Sequence, residues 1–262
     1  MSRKLHIPEN ALVCWPRVTA AALHFTISLT VAAAVAVIIF AQWYPGHYKN
    51  LAGGGHLFWI VVVVDVVLGP LLTLVLFNPA KPRKELLRDL GLVALIQIGA
   101  LGYGMHMVWQ VRPLFLVHEI DRFKVIARPV LDSVAVSELP IAIKPSWWKG
   151  PLTVAIREPR NVQERQKVMF ESVQGGRDYA ERPEFYIPYE GEAALKSLKR
   201  AKPLHVFLQK QPDQQEAARK LALEKGVDLK EWFYLPVIAR QDWVAVLDKQ
   251  GQIQGFLRGD GF

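Results

Sequence analysis

Asp65 stands inside a long apolar run, WIVVVVDVVLGPLLTLVLFNP, and Gly69 and Thr73 follow it at i+4 and i+8. On a helix that spacing puts an acid, a gap and a hydroxyl on one face. A charge at the middle of a bilayer costs roughly 2.5–3.5 kcal/mol on insertion scales, so this face should turn toward other helices or a polar cavity. Two chemistries suit it: a hydrogen bond within a bundle or to a partner's membrane helix, and a proton or ion pathway. One acid without a second charge favours the first. Elsewhere the reactive residues are sparse. The seven histidines show no metal-ligand spacing, and the single Cys14 can form neither an internal disulfide nor a thiolate cluster. His47, His56 and His106 gather only near one predicted membrane edge. His118, Glu119 and Asp121 crowd a predicted hairpin turn, which reads as solvated rather than acid–base. Gly53-Gly54-Gly55 lacks the Lys-Ser/Thr of a phosphate loop and reads as a flexible connector, and Trp147-Trp148 as lipid- or partner-facing or partly buried. No catalytic residue, metal or cofactor is expected.

The elements that must position Asp65 are three apolar runs at about 20–43, 56–77 and 90–111. Each has roughly the 20 residues needed to cross a hydrocarbon core. From Pro113 onward the composition is that of an ordinary soluble domain. The expected fold is therefore a membrane protein of three transmembrane α-helices, residues 1–112, followed by a small α+β domain, residues 113–262. The first run is longer than a signal-peptide core and ends at an aromatic Trp43-Tyr44 edge, so it reads as an uncleaved anchor.

Residues 1–112 carry nine Lys/Arg against four Asp/Glu, a net of +5, whereas residues 113–262 carry 23 against 20, a net of +3. The basic excess thus belongs mainly to the membrane part and implies no nucleic-acid partner. Arg3, Lys4 and Arg17 precede the first span, and Lys81, Arg83, Lys84 and Arg88 lie between the second and third; the first loop has only Lys49. By the positive-inside rule the N-terminus and the second loop are cytoplasmic, and the first loop and C-terminal domain lie outside. Trp43, Tyr44, Tyr48, Phe58, Trp59 and Trp109 would form the outer interfacial belt.

At about 1.5 Å per residue, Gln97 and Tyr103 of the third span fall within one turn of the depth of Asp65, while His24 and His106 lie roughly 10 Å to either side. Gln97 or Tyr103 is the expected hydrogen-bond partner. Gly69-Pro70 predicts a kink whose released carbonyl a neighbouring helix or Thr73 must satisfy. Ser28, Ala32 and Ala36, and Ala100 and Gly104, have the small-xxx-small spacing of closely packed helices. Beyond the membrane, Leu114–His118 and Phe123–Ala127 predict paired strands. Leu152–Arg157, Trp232–Ile238, Trp243–Leu247 and Ile253–Leu257 predict further strands, and Asn161–Val173, Glu192–Arg200 and Asp213–Lys225 predict helices. Pro140–Pro151 and Gly175–Pro188 read as surface loops.

The run VDVVLGPLLTLVLFNPAK, then RDLGLVALIQIGALGYG, VRPLFLVHEIDRFKVI and the closing LPVI and DWVAVLDKQGQIQGFL resemble the type IV pilin accessory proteins of the TfpX/TfpZ type. The likeness covers nearly the whole chain. Its most specific pieces are Asp65–Pro79, Arg112-Pro113 and Asp121-Arg122-Phe123; Met1–Arg17 is not among them. The resemblance implies an inner-membrane, chaperone-like factor of Gram-negative bacteria that promotes assembly of a particular pilin without catalysis. Its implied partners are the membrane helix and head domain of that pilin, the pilus assembly machinery and membrane lipid. It supplies no active-site residues. The alternative is a membrane enzyme that modifies pilin or another exported substrate, for example by glycan transfer. A sensor with a ligand-binding outer domain would need a cytoplasmic signalling module for which the chain has little mass.

Overall fold

The computed structural model describes residues 9–52, 54–146 and 148–262, with the side chains of 9–14, 54–57 and 61 left out. The expectations placed on Arg3, Lys4, Gly53 and Trp147 lie outside these residues, and those on Cys14 and His56 concern side chains outside the described ones.

The chain divides into a helical unit, Met1–Ala41 with Gly54–Gln110, and a sheet domain, Gln42–Gly53 with Val111–Phe262. The helical unit begins with α1 (Glu9–Ile38), which passes into a π turn at Ile39–Trp43. After the loop that carries the short α2 (Tyr48–Leu51), the second apolar run forms α3 (Gly54–Val63), a π turn at Val64–Leu68 and α4 (Gly69–Leu76). Gly54 and Gly55 are thus already helical, not a connector. The third run is one helix, α5 (Arg83–Gln110), which starts in the basic loop. Three helical stretches, Trp15–Trp43, Phe58–Leu76 and Arg83–Gln110, are long and apolar enough to cross a membrane. Buried positions are Ser28, Ala32 and Val35 on α1 and Ile39 at the start of the π turn, so the small-residue stripe does face inward, although Ala36 lies only at its margin.

In the sheet domain, β1 (Pro113–Glu119) and β2 (Arg122–Ala127) form the expected hairpin. Then come α6 (Ser133–Ser137), β3 (Leu152–Ile156) and α7 (Val162–Val173), whose first turn is capped by the Asn161 side chain accepting from the Glu164 amide. They are followed by β4 (Tyr186–Pro188), α8 (Glu192–Leu198), β5 (Lys202–Pro203), α9 (Leu204–Lys210) and α10 (Gln215–Lys225). The last three strands are β6 (Phe233–Ile238), β7 (Trp243–Leu247) and β8 (Ile253–Arg258). The strand order is β4-β3-β1-β2-β6-β7-β8, with β5 beside β6. The β1–β3 and β2–β6 pairs are parallel and the rest antiparallel, so the sheet is mixed.

One face of the sheet buries Leu116, Phe123, Ala155, Leu235 and Ala245 with Tyr189 and Ala194; the other buries Phe115, Val117 and Val154 at one end and Val244 and Val246 at the other, where α9 and α10 pack. Several expectations change here. Gly175–Pro188 is not a surface loop: Ala180, Phe185 and Tyr186 are buried, and β4 extends the sheet. Pro212–Gln214 is a separate 3-10 turn ahead of α10. The loop between the first two spans belongs to the sheet domain. Leu51 is fully buried in its core, its carbonyl accepts from the Arg240 amide at 3.1 Å, and the rings of His47 and Tyr48 pack on Phe256. Trp43 and Tyr44 are likewise buried in protein, so of the expected aromatic belt it is Trp59 that is well exposed.

Candidate functional site

The polar face of the second span is enclosed by its own bundle. Asp65, Gly69 and Thr73 are all buried. Pro70 is the reason for the arrangement: it has no N–H to offer the carbonyls four and five residues back, and the π turn at Val64–Leu68 opens the ladder there. Gln97 of α5 fills the vacancy, its Nε2 donating to the Asp65 carbonyl at 3.0 Å. That fixes the amide's other end as an acceptor. Gln97 Oε1 therefore takes the proton of His24 Nε2 at 2.7 Å, and His24 Nδ1 meets the Thr73 hydroxyl at 2.5 Å. Gly69 makes room for this network, since a Cβ there would lie 1.8 Å from Gln97 Nε2.

Of the two partners anticipated for Asp65, Gln97 reaches it through the backbone rather than the carboxyl, and Tyr103 is 67% exposed, turned off the bundle. His24 joins instead. Its roughly 10 Å offset from Asp65 is the depth of Thr73, two turns along the same face, and the length of Gln97 spans the interval. The spacing His24 to Ser28 to Ala32 to Val35 was the available signal, because it places His24 on the buried stripe of α1. The carboxyl oxygen Oδ1 of Asp65 is buried with no hydrogen-bond partner among the described residues.

A second constellation lies in the sheet domain. His118, Ala155 and Ile187 sit side by side across β1, β3 and β4 and form the floor of a cavity of about 770 Å³. Its walls are Arg165 and Met169 from α7 and Ala193 and Lys196 from α8, and Glu119 and Ile120 form its lip. Such a volume falls within the usual range of ligand sites. His118 is 7% exposed and its Nε2 has no hydrogen-bond partner among the described residues, so the turn expected to be solvated begins inside the protein. Strand alternation could have shown this, since His118 shares the face of buried Leu116. Burial holds the imidazole down to about 4 against the counter-pull of Asp121, and burial raises the Glu119 carboxyl despite Lys124.

The lip is strained. Ile120 has φ +55° and centres a γ-turn closed by the Asp121 amide donating to the Glu119 carbonyl at 2.7 Å. A β-branched residue held there costs about 1–3 kcal/mol, and such strain gathers at functional positions. The neighbouring motif residues anchor it: Asp121 pairs with Arg122 at 2.7 Å, and Phe123 is fully buried opposite His118. At the other end of β1, buried Arg112 donates to the Ser146 carbonyl at 3.2 Å. Two cations of the cavity lining are paired with carboxylates. Arg157 grips Glu164 through two bonds of 2.8 and 3.0 Å, which holds the Glu164 carboxyl down to about 2, and Lys196 lies 3.4 Å from Glu192 and 3.7 Å from Glu158.

Comparison with known proteins identifies the relatives of this architecture. Residues 14–53 match the family described as fimbrial assembly protein FimB. The chain is 36% identical over 247 residues to the fimbrial assembly protein, serogroup I, of Dichelobacter nodosus, covering 92% of this chain and 94% of that one. It is 34% identical, with the same coverage, to the serogroup E1 protein of that organism, and 40% identical over 120 residues to the protein of serogroups C1 and C2, covering 46% of this chain and 89% of that one. No solved structure matches.

Proposed function

The chain belongs to the fimbrial assembly protein family, and from that premise we propose that it is a non-catalytic, chaperone-like accessory factor for a cognate type IV pilin. One observation carries the reading: the relation to fimbrial assembly proteins runs through both the helical unit and the sheet domain, over 92% of the chain. In the helical unit Gln97, His24 and Thr73 bond to one another and to the Asp65 carbonyl, as expected of a scaffold. The relatives' names distinguish serogroups, which fits a factor matched to one pilin type, specificity being a difference between affinities. In this reading the protein lies in the inner membrane with a cytoplasmic N-terminus and a periplasmic sheet domain. It meets the membrane helix and head of pilin together, so two modest contacts add through effective concentration.

Deleting the gene should lower surface piliation and twitching while pilin transcription stays unchanged, and the defect should be larger with the cognate pilin than with a foreign one. Normal piliation with both would refute the assembly role. A pilin that loses mass in the deletion strain would establish the enzyme alternative instead. For topology, alkaline phosphatase fused after Phe262 should be active and a fusion within Lys81–Arg83 inactive, as the loop cations require; the opposite pattern would remove the periplasmic contact.

A further inference from the structure

We propose that a second, smaller pocket, between β5, β6 and the β1–β2 turn, binds the carboxylate of an apolar ligand. The proposal stands apart from the accessory-factor reading, because it rests on the chemistry of the pocket alone.

The pocket has a volume of about 360 Å³, within the usual range of ligand sites. Its floor includes Tyr234 of β6, which is only 1% exposed. The Tyr234 hydroxyl bonds to no group among the described residues, yet it is not sealed in as the Tyr179 hydroxyl is. The little surface that Tyr234 keeps therefore includes a hydroxyl turned to the pocket. Burial and the charge of Asp260 both raise its pKa, so the hydroxyl keeps a proton to donate.

Strand register brings cations to it. Lys202 of β5 pairs with Tyr234, which puts the two side chains on one face, and Pro236 follows on that face two residues along β6. Arg200 lines the pocket as well. Neither Arg200 nor Lys202 has an ion pair or a side-chain hydrogen bond among the described residues. In the larger cavity, by contrast, Arg157 and Lys196 have carboxylate partners. The acid in the pocket wall is already answered, since Asp121 accepts from Arg122 at 2.7 and 3.2 Å. Phe262 contributes its ring, with the Arg122 guanidinium 4.9 Å from its centre, while its carbonyl oxygen accepts from Lys210 at 3.2 Å.

Arg122, Arg200 and Lys202 against Asp121 and Asp260 leave a net charge of +1. A carboxylate neutralises that set, whereas a dianionic phosphate would overshoot it and face two carboxylates. Arg200, Lys202 and the Tyr234 hydroxyl together supply charge-assisted donors for both oxygens of a carboxylate. Ile120, Pro236 and the Phe262 ring give an apolar border for the carbon chain behind it. Ile120 belongs to the strained turn, and strain of that kind gathers at functional positions.

Isocaproate titrated into the full chain in lipid nanodiscs should bind, and its methyl ester and inorganic phosphate should bind about tenfold or more weakly. Arg200→Gln should weaken isocaproate about tenfold, and Lys202→Gln about threefold. Tyr234→Phe should weaken it about threefold without lowering the thermal midpoint, because the hydroxyl it removes bonds to nothing in the protein. Added salt should weaken binding too, since Arg200 and Lys202 are exposed. Absent binding, equal binding of the ester, tighter binding of phosphate, or indifference to both Arg200→Gln and Tyr234→Phe would each overturn the proposal. Acetylated trialanine with a free carboxyl end, set against its amide, identifies the source. Tighter binding of the free peptide than of isocaproate would assign the carboxylate to a polypeptide end, and the reverse order to a small acid.

Discussion

In the helical unit the side chains turned outward are residues such as Leu95, Ile98 and Val75, 67 to 75% exposed, while Ser28, Asp65 and Thr73 are buried. In the sheet domain Leu116, Phe123 and Ala245 are buried and the charges of Arg157, Glu164 and Lys196 stand at the margin. One region is apolar outside with a polar seam; the other is apolar inside with a polar rim. Each distribution matches a different solvent. Lipid tails reward apolar exteriors and leave polar contacts to specify how helices pack, whereas water drives the apolar side chains inward. Rigidity also differs. The close neighbour of Gly69 in the helical seam is the end of a flexible side chain, and that of Gly251 in the sheet domain is backbone.

The same substitution in both regions tests that difference. Gly251, at φ +76°, would place a Cβ 2.1 Å from the Ala194 carbonyl oxygen, and its own carbonyl accepts from Tyr189 at 2.6 Å. Neither backbone can yield, so Gly251→Ala should destabilise the sheet domain by about 2–4 kcal/mol in thermal unfolding. A loss below about 1 kcal/mol would break the contrast.

An acid titration of stability bears on the buried polar group of the sheet domain. The folded value of His118, about 4, lies below the ordinary 6.5, so its neutral form favours the fold. That contribution is complete above about pH 6.5 and is lost as pH falls toward 4, at about 1.4 kcal/mol per unit at most. Glu119 has the opposite sign, because its carboxyl is raised by burial. The His118 share is therefore the difference between wild type and His118→Gln over pH 6.5 to 4, and parallel curves would show that the imidazole is not sequestered.

In the helical unit, Gly69→Ala displaces only the end of Gln97, so it should cost about 0.5–2 kcal/mol, the range for interhelical hydrogen bonds. Gln97→Leu should cost about the same, and the double variant little more than either, because both break one network. Full additivity would mean that Gly69 and Gln97 act separately. Smallest of all, Asp65→Asn should change stability by less than about 0.5 kcal/mol, since the bonded atom of Asp65 is its carbonyl. Lost piliation with normal protein levels in Asp65→Asn would assign the carboxyl a protonation role.

The legible parts of the fold were those set by neighbours in sequence. Strand alternation marked the β1–β2 hairpin, and Asn161 and Gly226 marked the start of α7 and the end of α10. Less legible were α9, seven residues of which Leu204, Phe207 and Leu208 are buried, and β4, three residues ending in proline. Segments so short carry too few periods to tell helix from strand, and packing decides them. At the site, Gln97 could be found by depth, whereas His24 could not, because depth along an axis says nothing of which way a long amide reaches.

What the sequence by itself determined is therefore local and periodic: three apolar lengths fit to cross a bilayer, the Asp65–Gly69–Thr73 face, the break at Pro70 and the strand pattern of the C-terminal part. Only the tertiary structure decided that the loop carrying Leu51 joins the sheet domain. It also decided that Gln97 and His24 complete the broken ladder, and that β4, α7 and α8 enclose His118. Those contacts join residues some 30 to 190 positions apart. Their geometry depends on how finished elements pack, and no spacing within a single element encodes it.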